Sequence, residues 1–241
     1  RGLGDVYKRQ IYIVKKILAY AMTISLLLCG CSYQESYRGG VEMDKSYKEL
    51  STIFRQYGLN GLNDELVYNL EQRYKELPSE IEFNKAADLL TSLGEGDIDY
   101  ENMTWKPSEN GVYAFDVEIF DVENMYKNFL IGVSYLDREE LNFTNIVEDT
   151  SLVDWEDGTG SRSVSFDWNG QHFNIDAKVE GDWFDSSVAD DLNRIIISQD
   201  TGKQLYFTSD GYQEGIVFYC DKEWANDFEK DTGLKLEEFN Q

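Results

Sequence analysis

Two short segments of this 241-residue chain set carboxylates against tryptophan. Asp154, Glu156 and Asp157 surround Trp155, and Asp182 and Asp185 flank Trp183-Phe184. An indole among acids suits a sugar, the ring stacking on its apolar face while carboxylates bond its hydroxyls. Two such acids facing one another would make the acid/base pair of a glycan hydrolase. The same oxygens suit calcium, although neither segment has the alternating Asp positions and closing Glu of an EF-hand loop. A structural reading competes for every one of these residues, and it is the stronger. Asp182 belongs to a turn after Gly181, Asp185 is a helix cap, and 154–160 is a polar loop beside a core tryptophan. Asp116 and Glu118, on one face of a strand, read as solvated. No catalytic residue is assigned.

The remaining chemistry is sparse. His172 is the single histidine, so mechanisms that need two imidazoles are excluded. It reads as a surface partner of Asp167, a weak kind of pair. No glycine-rich phosphate loop, H-E-x-x-H or paired C-x-x-C occurs. Of the three cysteines, Cys220 lies in the apolar run Ile216 to Cys220 and reads as a buried thiol behaving as a small hydrophobe.

Charge narrows the partners. The chain is formally −24; residues 1–30 hold five of its 22 bases and one of its 46 acids, which leaves −28 over 31–241. Nucleic acid is excluded as a partner, because phosphate binding needs clustered lysine and arginine. The excess serves solubility or a cationic partner: a basic protein, a basic peptide or calcium.

Three helical stripes follow residue 45. Tyr47, Leu50, Phe54 and Tyr57 share one face. Asn63 caps a second helix with Leu66, Leu70, Tyr74 and Leu77, which Pro78 stops. Phe83, Ala86, Ala87, Leu90 and Leu93 mark a third, closing at Gly94. From Asp97 strands dominate. Tyr113, Phe115, Val117 and Ile119 alternate with Ala114, Asp116 and Glu118 as a half-buried strand. Asp121 then caps a helix bearing Val122, Met125, Phe129, Val133 and Leu136.

Asn169-Gly170 suits a type I′ turn, since both residues tolerate positive φ. Counting outward pairs Trp168 with Gln171, Phe166 with Phe173 and Val164 with Ile175, so the apolar pairs share one face. Asp185 or Ser186 caps a helix with Val188, Leu192, Ile195 and Ile196 inward. Strands around Lys203 to Thr208 and Gly215 to Cys220 join through Asp210-Gly211. Asp221 caps a last helix carrying Trp224 and Phe228, which ends at Gly233. The order gives an α+β fold: an N-terminal helical segment, then a mostly antiparallel sheet with helices on one face.

The N-terminus locates the protein. Lys15 and Lys16 precede an apolar stretch, Ile17 to Leu28, and Leu28-Cys29-Gly30-Cys31 follows. At about 1.5 Å per residue it covers roughly 18 Å, short of a bilayer core of roughly 30 Å. It has the layout of a secretory signal and resembles a bacterial lipoprotein signal with its lipobox. That resemblance implies diacylglycerol on Cys31, cleavage before it and acylation of the new amino group. The chain then divides into adapter-like residues 1–10, a signal at 11–30, a tether at 31–44, a helical segment at 45–96 and an α+β domain at 97–241.

The leading reading is a non-enzymatic binding or accessory lipoprotein, anchored through Cys31 on the extracytoplasmic side of a bacterial envelope. An immunity or inhibitor protein against a basic toxin or hydrolase is the alternative, and a carboxylate-based glycan hydrolase the third; no cofactor is called beyond the calcium option. Two or three acyl chains, at roughly 0.8 kcal/mol per buried methylene, hold a protein at a membrane where one is marginal. Cys31→Ala is therefore expected to abolish metabolic lipid labelling and to leave precursor or released protein; unchanged labelling contradicts the assignment.

Overall fold

The computed structural model describes residues 45–77, 84–99, 104–119 and 121–238. The signal, Cys31, the tether, Pro78 and Phe83 lie outside the described residues.

The run Glu214–Cys220 decides the architecture. Ile216, Val217, Phe218 and Tyr219 are apolar at both parities, as a strand covered on both faces requires. This strand, β8, lies between β3 (Tyr113–Asp116) and β7 (Gln204–Ser209) in an antiparallel sheet of order β3-β8-β7-β9, where β9 is Glu237–Glu238. Ala114, Tyr206, Ile216 and Phe218 face one core. Tyr113, Phe115, Leu205 and Val217 face the other.

The first core is closed by α1 (Tyr47–Gln56), α2 (Asp64–Glu76), α3 (Lys85–Gly94) and α6 (Lys222–Thr232). Their sequence signals hold. Tyr47, Leu50 and Phe54 are buried, the Asn63 side chain accepts from the Leu66 amide, and that of Asp221 accepts from the Trp224 amide. Gly233 ends α6 at φ 82°. Ser46 and Glu49 add a capping box on α1. Trp224 stacks on Phe228, and Phe54 stacks on the same ring.

The second core is closed by α4 (Met125–Ser134), α5 (Ser187–Ser198) and a three-stranded antiparallel sheet. That sheet is β4 (Thr144–Asp154), β5 (Thr159–Trp168) and β6 (Gln171–Lys178). Val164, Phe166 and Trp168 point inward from β5, while Ser163, Ser165 and Asp167 do not. The α+β class is the one found. Its strands divide between sheets, with a short ribbon of β1 (Asp97–Asp99) and β2 (Thr104–Lys106) besides, and helices cover both faces of the central sheet, not one. Both stretches, helical and α+β, belong to one compact unit, Met43–Gln241.

Close approach at β3 explains two glycines. A side chain at Gly94 would stand 2.6 Å from the Ala114 amide nitrogen, and one at Gly132 would stand 2.3 Å from the Tyr113 ring. Gly94, the last residue of α3, thus has no side chain because the helix meets the strand there. β3 itself ends at Asp116 and is buried on both faces, where a longer, half-buried strand was expected.

Asp121 does not cap α4. A 3₁₀ turn at Val122–Asn124 intervenes, and the Asp121 carboxylate instead accepts from the side chains of Asn124 and Asn128. β4 shows no clean alternation in sequence, because its register slips between Thr144 and Val147 and again between Asp149 and Leu152.

The hairpin matches residue for residue: Trp168 pairs with Gln171, Phe166 with Phe173, and Val164 with Ile175. Asn169 and Gly170 both take positive φ, 50° and 73°. Gly170→Val is expected to lower stability by about 1 kcal/mol or more. Phe166→Ala, at a fully buried ring, is expected to lower it by roughly 3–5 kcal/mol. Urea melts that place both variants level with the parent would contradict this register.

Candidate functional site

The two acid-flanked tryptophans occupy adjoining turns. Asp154 ends β4, and 155–158 turns into β5. A side chain on Gly158 would stand 3.7 Å from the Cα of Gly181, in the turn that carries Asp182 and Trp183. Trp155 and Trp183 are each 46% exposed, so Trp155 is not the core residue expected. Local backbone chemistry engages one acid: the Asp154 carboxylate accepts from the amides of Glu156 and Asp157 at 3.0 and 3.2 Å. Glu156 and Asp157 are exposed, as is Asp182.

Asp185 belongs to a different layer. It is buried, and its carboxylate accepts from the amides of Lys178 and Ser187 at 2.9 and 3.0 Å. Burial disfavours its charge, yet these hydrogen bonds prevail and hold the carboxyl below the usual aspartate range. It organises the start of α5, in keeping with the cap reading, though Ser186 is the residue at the boundary.

Beneath the two turns lies a polar network that the sequence did not announce. Arg162 occupies the inward parity of β5, in line with Val164, Phe166 and Trp168. Its Nη2 is paired with Glu148 on β4, and both side chains are almost wholly buried. Glu148 also accepts from the amides of Tyr126 and Lys127 at 3.0 and 2.9 Å. It therefore supplies the anion at the start of α4 that Asp121 does not. Burial pushes its carboxyl above the usual glutamate range, against the opposing pull of Arg162 and those amides.

The Arg162 guanidinium sits 4.8 Å from the Tyr126 ring centre and 5.9 Å from that of Trp155. The Tyr126 hydroxyl accepts from the Asp185 amide, and burial pushes that phenol up to about 12. One signal could have found Arg162: a lone arginine on the apolar parity of a strand needs a buried acid. Nothing in the sequence says that the acid is Glu148.

His172 lies where the register put it, its Nδ1 2.6 Å from Asp167 Oδ1 on the exposed face. Asp116 is part-buried, and its Oδ1 accepts from the Glu118 amide at 2.9 Å. The Cys220 thiol is buried and pushed up to about 12, far from thiolate character at neutral pH. Among the described residues no group of His, Cys, Asp and Glu converges to hold a metal ion, and no helix is long and apolar enough to cross a membrane. No family model, curated protein or solved structure matches the chain.

Breaking a buried pair strands a charge, which costs roughly 3–5 kcal/mol, whereas replacing both partners by apolar groups is often neutral. Glu148→Leu is expected to fall in that range by urea melt, and Glu148→Leu with Arg162→Met to recover most of the loss. Additive losses in the double variant would show that the two residues act separately.

Proposed function

We propose that this protein is a lipid-anchored, non-enzymatic binding module of the bacterial envelope that holds a basic protein or peptide. The observation that carries the reading is the formal charge of −28 over residues 31–241. Much of that charge lies at the surface: Glu156, Asp157, Glu180 and Asp182 are all exposed. Two buried acids have structural work instead, Glu148 at Arg162 and α4, Asp185 at α5. The lipobox resemblance supports the anchor, and a polar stretch with Gly39-Gly40 supports a tether between lipid and domain.

An acidic surface speeds encounter with a cationic partner over about a Debye length, roughly 8 Å at physiological ionic strength. Steering of this kind acts on association more than on dissociation. For a basic partner captured from the envelope, the association rate is expected to fall steeply across a salt series while dissociation changes less. A flat association rate would assign the charge to solubility alone and overturn the reading.

A further inference from the structure

Four aromatic side chains among the described residues stand well exposed: Tyr68, Trp155, Trp183 and Tyr212. Three of them fall on adjoining segments. The Trp155 turn lies beside the Trp183 turn at Gly158 and Gly181. That second turn is hydrogen-bonded to segment 117–119, Ile119 amide to Asp182 carbonyl at 2.7 Å and Phe184 amide to Val117 carbonyl at 2.9 Å. Segment 117–119 in turn meets the Tyr212 loop, Val117 amide to Gln213 carbonyl at 2.8 Å. Exposed carboxylates interleave with the rings: Glu156 and Asp157 in the first turn, Glu180 and Asp182 around the second, Glu118 on the segment between. Lys178 is the exposed base beside them.

We infer that this row of rings and acids is the docking strip for an extended, arginine-rich segment of a partner polypeptide. The inference rests on the binding-module reading and gives it a place and a ligand chemistry. Charge complementarity selects a cationic occupant, and large rings at the surface select a cation that stacks. The molecule already contains one instance: the Arg162 guanidinium lies 4.8 Å from the Tyr126 ring centre and 5.9 Å from that of Trp155. Two hydrogen-bonded backbone steps of roughly 4.8 Å each, with the turn beside them at Gly158 and Gly181, make a strip on the order of 14 Å long, which about four residues of extended chain would span.

The test titrates the full chain with nonaarginine by isothermal calorimetry, beside chitohexaose as a neutral stacking ligand. Nonaarginine is expected to bind the parent. Trp155→Ala with Trp183→Ala is expected to bind it about tenfold more weakly, two cation–π contacts being lost. Trp183→Ala alone, which leaves the Arg162 contact intact, is expected to show a partial loss with an unchanged melt. Tyr68→Ala, on α2, removes an exposed ring elsewhere and is expected to bind like the parent. If the tryptophan variants bind nonaarginine as the parent does, or the α2 variant loses as much as they do, the strip is overturned while the basic-partner reading stands. If nonaarginine does not bind the parent at all, the reading falls and the strip with it. Chitohexaose binding that depends on the tryptophans, in place of nonaarginine, would replace the peptide with a glycan and overturn the inference.

Discussion

The structure depends on one strand being buried on both faces. β8 alternates Ile216, Phe218 and Cys220 toward one core with Val217 and Tyr219 toward the other. A sheet covered on both sides loses solvent on each, so its strands give up the polar alternation of a surface sheet. Everything else is arranged by what each face needs. Four helices fill one side; two helices and a second sheet fill the other. Gly94 and Gly132 let helices approach β3 from opposite sides at distances a side chain would not permit.

That demand explains why the second sheet differs from the first. β5 and β6 need bury only one face, and the polar face carries Ser163, Ser165, Asp167 and His172. The exception, Arg162, is inward and charged. Desolvating a guanidinium and a carboxylate is costly, and their mutual attraction offsets it only with good geometry and further hydrogen bonds. Glu148 supplies these by taking two amides of α4, so one pair joins β4, β5 and the start of a helix. The turns bearing Trp155 and Trp183 rest on this base: Trp155 on Arg162, and the 181–184 turn next to Asp185, whose amide meets Tyr126.

The legible parts of the fold were those where independent local signals agree. The Asn169-Gly170 turn and the apolar pairs around it each dictate the same register. Asn63 and Asp221 cap helices because a short polar side chain precedes an apolar stripe, and both do so here. Signals failed where the deciding contact is distant. Asp121 precedes the apolar stripe as a cap would, but a 3₁₀ turn separates it from α4, and the Glu148 carboxylate accepts from the amides there. β4 carries exposed Val147 and Leu152 and two register slips, so its pattern points to no single face. The adjacency of the two tryptophan turns was invisible for the same reason. Their chemistry could be read, but their meeting depends on how β4, β5 and the chain after β6 are brought together.

On this account the central sheet joins both cores into one cooperative unit, which keeps the acidic, aromatic turns in fixed relation. Native-state hydrogen exchange measures that directly, because amides report the opening that exposes them. The Ile216, Val217 and Phe218 amides are expected to exchange only through global unfolding, with amides of α3 and of the β5–β6 hairpin reaching the same free energy. Two separate levels, with the β5–β6 hairpin surviving while β8 and α3 exchange through a cheaper opening, would contradict it.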